Sequence, residues 1–271
     1  MKIKALKAIS IRDSETGDLT SIAHGAITNV DDTLGESLIS DELAEEYDGV
    51  ASFKKFVDKS ITRLTVDMLD GVTSIGDVAF SMCTSLESIE IPSSVTSIGT
   101  SAFYGCSSLT SVTIPKNVTN LGYNTFSNSG IKKAKFEHLP AGGYWFNDVA
   151  LEDLIILKAK EIQAGLFSSL STLKNLTLEE GKIGVNAFMS CSSLVNVKLG
   201  EGVISIGNFA FSGCRSLESI TVLAKTPPTL GQSVFFNNAN FTIYVPTESL
   251  EAYKTATNWS NYASKIQAIP S

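Results

Sequence analysis

Apolar residues recur along most of the chain at fixed offsets from a phenylalanine. Phe80, Phe103 and Phe126 are 23 residues apart, and so are Phe188 and Phe211. The segment after each of them ends in alternating apolar and polar residues, with the pattern L-x-x-I-x-I in the most regular copies. Such alternation predicts a short β-strand with one buried face. Each repeat therefore contributes one strand.

Three stretches of the chain superimpose without gaps, beginning at Val72, Val95 and Ile204. They share the pattern I-G-x-x-A-F-x-x-C-x-S-L-x-x-I-x-I. Other copies are less regular, and the steps between their phenylalanines shorten to 20 or 21 residues in the middle of the chain. These copies begin at Phe56, Phe146 and Phe167. We count eight repeats and part of a ninth, from Phe235 to Val245.

Repeats of this length and pattern predict a leucine-rich-repeat right-handed solenoid, mainly β with short helical turns. The strands of successive repeats are expected side by side in a parallel sheet on one face, with Phe, Cys and Leu stacked inside. We expect the glycine of each I-G pair at a turn, because glycine adopts backbone conformations that other residues resist. One repeat cannot bury its own apolar face, so stability depends on stacking between neighbours.

The repeat does not reach either end of the chain, which predicts three parts. Residues 1–49 form a small α+β module, with strands in KALKAISI and LTSIAHGAITNV and a helix in ISDELAEEY that Ser40 caps. Residues 50–226 form the solenoid. Residues 227–271 form a C-terminal cap, with a last strand in FTIYVP followed by one helix or a pair of helical turns.

The apolar residues of the cap are expected to cover the last repeat. They are Leu250, Tyr253, Trp259, Tyr262 and Ile266. A sugar-binding role for Trp259 and Tyr262 is the alternative to packing.

The motif I-G-x-x-A-F-x-x-C-x-S-L-x-S-I-x-I-P resembles the BspA-type (Treponema pallidum-type) leucine-rich-repeat family of bacterial surface proteins. The resemblance covers roughly residues 50 to 271, including the elements A-K-T-P-P and V-P-x-x-S-L-x-A-Y-K of the tail. It implies a cell-surface or secreted protein that adheres to host matrix, glycans or other bacteria without catalytic activity. The start of this sequence, MKIKALKAISIRDSETG, lacks the apolar stretch of a signal peptide. A cytoplasmic or phage-associated protein is therefore the alternative to a surface protein whose leader was removed.

Composition narrows the classes of partner. The net charge of −7 and the pI of about 5.0 argue against binding to nucleic acid or to an anionic membrane. A run of 18 apolar residues, which a membrane span needs, is absent from the sequence. We expect a monomer without cofactors.

The sequence offers little for catalysis or metal binding. The four cysteines, Cys83, Cys106, Cys191 and Cys214, all stand three residues after the core phenylalanine, which favours buried free thiols over disulfides or a metal site. The two histidines, His24 and His138, have no motif around them, and the acidic pairs Asp31-Asp32 and Glu45-Glu46 lack the spacing of a calcium loop. We therefore predict that the protein is not an enzyme.

Alternation along the strands identifies the side chains that point outward, and these are the candidate ligand-binding residues. We expect them to form one continuous, mostly polar surface from Arg63 to Tyr244. The candidates on it are Arg63, Glu90, Lys133, Lys135, Asp153, Asn175, Asn196, Lys198 and Tyr244. The irregular segment P-A-G-G-Y-W-F adds Tyr144 and Trp145, which either form an exposed hot spot or, the reading we favour, fill a shortened repeat.

Two functions follow from this reading. The first is a non-catalytic binding or adhesion protein that presents the extended sheet face to a protein or glycan ligand. The second is a structural component of a phage-like or intracellular assembly, with the N-terminal module as its attachment element.

Overall fold

The computed structural model describes residues 61–66, 69, 71–140, 143–238 and 240–270 with their side chains. Before residue 61 it describes the backbone of six short strands. The chain divides into two compact units. The first unit contains residues 1–110, 117–130 and 145–148, and the second contains residues 111–116, 131–144 and 149–271. The expected division at residues 49 and 226 stays a prediction.

Short antiparallel strands form the start of the chain. They are β1 (Lys2–Ala5), β2 (Ile9–Arg12), β3 (Leu19–Ile22), β4 (Ile27–Asn29) and β5 (Ala44–Glu46). β2 pairs with β3, and β1 pairs with both β4 and β5. The predicted helix in ISDELAEEY is wrong over β5, because the backbone there pairs with β1, and such tertiary pairing overrides helix propensity. Ser40, His24, Asp31, Asp32 and Phe56 lie outside the described residues.

The repeats contribute fifteen further strands to the described part of the chain. In chain order they are β6 (Ala51–Phe53), β7 (Arg63–Leu64), β8 (Val72–Ile75), β9 (Ser88–Ile89), β10 (Ser97–Ile98), β11 (Ser111–Ile114), β12 (Asn120–Leu121), β13 (Lys133–Phe136), β14 (Asp153–Lys158), β15 (Asn175–Ile183), β16 (Asn196–Ile206), β17 (Ser219–Val222), β18 (Thr229–Leu230), β19 (Thr242–Val245) and β20 (Ile266–Ala268).

All pairings among these strands are parallel, as predicted for a leucine-rich-repeat solenoid of about nine coils, where a coil is the turn of chain formed by one repeat. The first unit contains the sheets β12-β10-β8-β6 and β7-β9. The second contains one sheet in the order β11-β13-β14-β15-β16-β17-β19-β20, with β18 beside the far end of β16. The I-G segments and their equivalents form their own strands in several repeats, such as β8, β10 and β12, which confirms the second extended piece there.

Phenylalanine rings stack from coil to coil inside each unit. In the first unit, the rings of Phe80, Phe103, Phe126 and Phe146 follow one another at centroid distances of 5.2, 5.6 and 5.7 Å. In the second, Phe167, Phe188, Phe211 and Phe235 do so at 5.5, 5.5 and 6.1 Å. The rings repeat at nearly the spacing of adjacent strands, because each coil adds one strand to the sheet. The predicted interior position of the phenylalanines is confirmed.

The chain turns tightly on both sides of each stacked phenylalanine, and this the sequence did not indicate. The residues two before and two after it have φ between 52° and 75°. In the second unit the backbone N–H groups of Asn186, Phe188 and Ser190 donate to carbonyls of the next coil at 2.8 to 3.0 Å. Side chains as bulky as Val78 and Phe209 occupy these left-handed positions, which cost energy for residues other than glycine. Hydrogen bonds between coils therefore impose this geometry on sequences that do not favour it.

The glycine of the I-G pair is needed for a different reason from the one expected. Neither Gly207 nor Gly231 has a positive φ. A Cβ atom added to Gly207 would lie 2.6 Å from the carbonyl carbon of Gly184, and one added to Gly231 would lie 2.5 Å from the backbone nitrogen of Asn208. The expected special backbone conformation is therefore wrong at these positions. Glycine is required because the backbones of neighbouring coils touch there.

The cysteines form the predicted interior ladder of free thiols. The Sγ atoms of Cys106, Cys191 and Cys214 each donate to the carbonyl of the phenylalanine in the preceding coil, at 3.2 to 3.3 Å. Burial raises the pKa of Cys106 and Cys191 from 9.0 to about 12, and it raises the pKa of Cys214 as well. These thiols are packing groups and not nucleophiles, because a nucleophilic cysteine needs a lowered pKa.

The C-terminal cap differs in part from its prediction. Two short 3-10 helices, Thr247–Ser249 and Trp259–Lys265, flank the helix α1 (Leu250–Thr255). Ile266 lies in β20, which pairs with β19, so its predicted place on a helix is wrong.

The aromatic residues of the cap had two interpretations, packing against the last repeat or sugar binding. Trp259 is buried and its Nε1 donates to the carbonyl of Pro228 at 2.7 Å, while Tyr253 Oη donates to Ala224 at the same distance. Packing is confirmed for Trp259, and its sugar-binding alternative is wrong. Tyr262 is half-buried and meets Phe235 edge-on.

Replacing Phe188 by alanine should lower the free energy of unfolding of the second unit by about 3 to 5 kcal/mol, because it removes a ring stacked on both sides. Phe236→Ala is the matched control. Phe236 is 56% exposed, so its loss should change stability by no more than about 0.5 kcal/mol. Urea unfolding followed by circular dichroism measures both values, and equal effects would contradict the stacked core.

The buried thiols predict a pH dependence of stability. The folded chain keeps the proton of Cys191 up to about pH 12, whereas the unfolded chain releases it near the ordinary thiol pKa of about 8.5. Stability therefore falls as pH rises through the unfolded pKa. In Cys191→Ala the loss of stability between pH 8 and pH 10 should be smaller than in the wild type by about 2 kcal/mol. Urea midpoints at the two pH values test this, and identical losses would refute it.

Candidate functional site

The outer side of the nine-stranded sheet in the second unit carries two rows of side chains, and we call it the sheet face. Strand register aligns one residue of each of the strands β11, β13, β14, β15, β16, β17 and β19 in each row. The first row is Ser111, Lys133, Asp153, Asn175, Asn196, Ser219 and Thr242. The second row is Thr113, Lys135, Ile155, Thr177, Lys198, Thr221 and Tyr244. All these side chains are exposed or half-buried, and the residues between them are buried, so the predicted alternation is confirmed here.

The first row forms a continuous chain of polar contacts from strand to strand. Asn175 Nδ2 donates to Asp153 Oδ1 at 2.7 Å, and Asn196 Nδ2 donates to Asn175 Oδ1 at 3.1 Å. Ser219 Oγ then donates to Asn196 Oδ1 at 3.1 Å, while Lys133 Nζ lies 3.3 Å from Asp153 Oδ2 at the other end. We call this chain the polar ladder. It holds these side chains in place and uses part of their hydrogen-bonding capacity.

Ion pairs join neighbouring coils at the borders of the two rows. Glu152 Oε2 accepts from Lys174 Nζ at 2.7 Å, and its Oε1 lies 3.8 Å from Lys132 Nζ. The hydrogen bond and the charge of Lys174 lower the pKa of Glu152, and Glu152 raises the pKa of Lys174 in return. Lys198 Nζ, in the second row, lies 3.6 Å from Glu179 Oε1. These contacts pair the charges of Lys132, Lys174, Glu152, Lys198 and Glu179 at the border of the sheet face.

A groove of about 360 Å³ lies on the sheet face across β11, β13, β14 and β15. Its walls come from both rows and include Lys135, Ile155 and Thr177, and its lining also includes Val112, Ala134 and Leu154. None of the ion pairs in the described part of the chain includes Lys135. Beside it, Ile155 is 37% exposed. The groove therefore offers a positive charge next to an apolar surface.

The structure separates the two aromatic candidates of the irregular segment. Trp145 is 1% exposed, and its Nε1 donates to the carbonyl of Leu121 at 3.1 Å. A ligand cannot reach it, so Trp145 is wrong as a binding residue and the packing interpretation holds. Tyr144 is 70% exposed, with a left-handed φ of 55°, and it stays a candidate.

Arg63 and Glu90 lie in the first unit, at the strands β7 and β9. Both are exposed, as predicted. β9 pairs with β7 in a sheet of two strands, and β11 is an edge strand of the larger sheet. Arg63 and Glu90 thus belong to a different sheet from the one that carries the sheet face, and the single surface expected from Arg63 to Tyr244 stays a prediction. Val66, two residues after the end of β7, is 45% exposed.

Sequence reasoning found the members of the polar ladder but not the ladder itself. Asp153, Asn175, Asn196 and Ser219 occupy the same position in four successive repeats. Short polar side chains at one position of adjacent parallel strands are within hydrogen-bonding distance, so a signal was present. The groove and the unpaired state of Lys135 had no such signal, because they depend on side-chain conformations.

Two further findings concern the described residues alone. None of their helices has the length and apolar character needed to cross a bilayer. His138 is half-buried, and the structure brings no three His, Cys, Asp or Glu side chains of the described ranges together as metal ligands.

Comparison with solved structures gives bacterial leucine-rich-repeat proteins. A leucine-rich repeat protein from Eubacterium ventriosum is 23% identical, with 72% of this chain and 48% of that chain covered and a TM-score of 0.46. A leucine rich cell surface protein from Faecalibacterium prausnitzii is 22% identical, with coverage of 78% and 60% and a TM-score of 0.27. The leucine-rich repeat protein of T. pallidum is 22% identical, with coverage of 69% and 80% and a TM-score of 0.36. The chain thus spans about half of the first protein and three fifths of the second.

No curated protein matches the sequence. A family model described as "BspA type Leucine rich repeat region" matches in six copies, over residues 52–174 and 160–267. These matches cover most of the chain and include every repeat from which the sheet face is built. The chain therefore belongs to the BspA-type leucine-rich-repeat family.

Proposed function

We propose that this chain is a non-catalytic binding protein that uses the sheet face of the second unit to hold a protein ligand at a cell surface. The observation that carries the proposal is the unbroken parallel register of the strands under the two rows. It sets side chains about 4.8 Å apart across the sheet and about 7 Å apart along each strand. A regular surface of this kind makes many weak contacts with an extended partner.

The chemistry of the face supports recognition through side chains. Backbone N–H and C=O groups inside a sheet bond to neighbouring strands, which leaves hydroxyl, amide and ammonium groups to contact a ligand. The polar ladder fixes the first row before any ligand binds. Prior ordering of this kind lowers the entropy lost on binding.

A protein ligand fits the groove better than a glycan does. Sugar sites commonly offer an aromatic ring on which a pyranose stacks, and no aromatic side chain lines the groove. Tyr244 is the aromatic residue of the second row, and it lies on β19, three strands beyond β15 at the edge of the groove. The apolar surface of Ile155, which is 37% exposed, instead suits apolar side chains of a protein. The binding experiment below includes glycans beside proteins, so it would show a glycan ligand as a separate result.

The binding proposal predicts that a bulky charge in the groove blocks the ligand. The purified chain is immobilised and exposed to a panel of purified extracellular-matrix proteins and to a glycan array. We expect at least one matrix protein to bind, and Thr177→Arg to weaken that binding at least about tenfold, because its side chain fills the groove.

Thr229→Arg is the matched control, since Thr229 is an exposed threonine of β18 outside the two rows. It should bind as the wild type does, and circular dichroism should show both variants folded. Equal binding by Thr177→Arg and the wild type would refute the sheet face as the binding surface. Binding to glycans alone would replace the protein ligand by a sugar.

The surface location, which rests on the family resemblance, has its own test. Protease added to intact producing cells should remove the chain, while a cytoplasmic marker protein stays intact. Immunoblotting of the treated cells measures the loss. A chain that resists protease until the cells are lysed would contradict the surface location.

A further inference from the structure

We propose that the groove binds a carboxylate of an acidic, extended segment of the protein ligand, with the ammonium group of Lys135 as its partner. This inference rests on the proposed function and names the chemistry of the ligand. It follows from three properties of the groove, which are the charge balance of the face, the position of Lys135 and the apolar contact beside it.

Of the three lysines in the two rows, Lys135 is the one that forms no ion pair with a described residue. Lys133 is paired with Asp153 and Lys198 with Glu179, both within 4 Å. Asp153 is held toward Lys133 and Asn175 by the polar ladder. Its charge is therefore already matched, and Lys135 contributes an unmatched positive charge to a chain whose net charge is −7.

The carboxylate of Glu137, which follows directly after β13, is also engaged. Glu137 follows Lys135 by two residues, and its Oε2 accepts from the backbone N–H of Lys116 at 3.2 Å. This hydrogen bond holds the Glu137 carboxylate toward the end of β11. Among the described residues, no carboxylate forms an ion pair with Lys135, and this leaves its ammonium group available to a ligand.

The position of Lys135 directs that charge into the groove. The residue is half-buried in the second row, between Thr113 on β11 and Ile155 on β14. Partial burial reduces solvent screening, so a carboxylate there gains more than it would at a fully exposed lysine. The hydroxyl groups of Ser111, Thr113 and Thr177 line the same groove and donate to an anion or to a peptide carbonyl.

Ile155 gives the site its preference for a protein segment over a small anion. Its exposed apolar surface lies one strand away from Lys135, at about 4.8 Å in the sheet. A ligand with a carboxylate next to an apolar side chain satisfies both groups together. A free carboxylic acid or a sulfate satisfies Lys135 alone.

The experiment measures the binding of two pentapeptides, each with an acetylated N-terminus and an amidated C-terminus. They are titrated into the full chain, and the backbone amide signals of the chain are followed by NMR. One peptide is Gly-Val-Glu-Val-Gly and the other has glutamine in place of glutamate. We expect the glutamate peptide to shift the amides of Lys135, Ile155 and Thr177 and to bind about fivefold more tightly than the glutamine peptide, as for a modest ion pair. Added salt should reduce this difference.

Lys135→Gln should remove the preference for glutamate, so that both peptides bind equally. Lys160→Gln is the matched control, since it makes the same change in net charge at an exposed lysine outside the groove. It should keep the fivefold preference. A preference that survives in Lys135→Gln, or that is lost equally in Lys160→Gln, would overturn the inference.

A wild-type chain that binds neither peptide would also overturn it. So would binding of a uronic-acid tetrasaccharide in the groove in place of the glutamate peptide, since the carboxylate would then come from a glycan. The proposed function fails by a different result, which is unchanged capture of a matrix protein by Thr177→Arg. Loss of capture in Thr177→Arg together with a glutamate preference that survives in Lys135→Gln would refute the acidic segment and leave the sheet face in place.

Discussion

The close stacking of one coil on the next is the constraint on which the rest of this structure depends. Each coil adds one strand to a parallel sheet, so all parts of a repeat must advance by the spacing of one strand. The phenylalanine rings follow this advance at 5.2 to 6.1 Å. At the I-G turn the backbones of Gly184 and Gly207 lie so close that no side chain fits between them. The cysteine thiols use the same advance to reach the carbonyl of the preceding coil.

The same constraint organises the surface. Because equivalent residues of successive repeats are placed side by side, a polar residue at one position becomes a row, and Asp153, Asn175, Asn196 and Ser219 become hydrogen-bonded to one another. The row then decides which charges are matched. Lys133 is neutralised by the ladder, and Lys135, two residues further on the same strand, is not. Two lysines only two residues apart on one strand thus have different roles: Lys133 is part of the polar ladder, and Lys135 is a candidate ligand-binding residue.

Where the sequence departs from the repeat, large aromatic side chains pack inside the chain. Trp145 stands in a shortened repeat and points into the first unit, where Leu121 accepts its indole N–H. Its neighbour Tyr144 is exposed because adjacent residues in an extended or tightly turning backbone point in different directions. In the cap, the polar atoms of Trp259 and Tyr253 donate hydrogen bonds to backbone carbonyls of the preceding segment. Such bonds explain why these large aromatic side chains serve packing and not binding.

The sequence by itself determined the coil, its buried positions and the outward side of each strand. The reason is that every copy of the repeat must bury the same apolar positions against its neighbours. It determined the burial of the cysteines for the same reason. The tertiary structure alone decided that Ala44–Glu46 is a strand, that Ile266 adds to the sheet and that β7 and β9 form a sheet of their own. It also decided which lysine is unpaired. These features depend on contacts between residues far apart in the chain and on side-chain conformations, and neither is encoded in the period of a repeat.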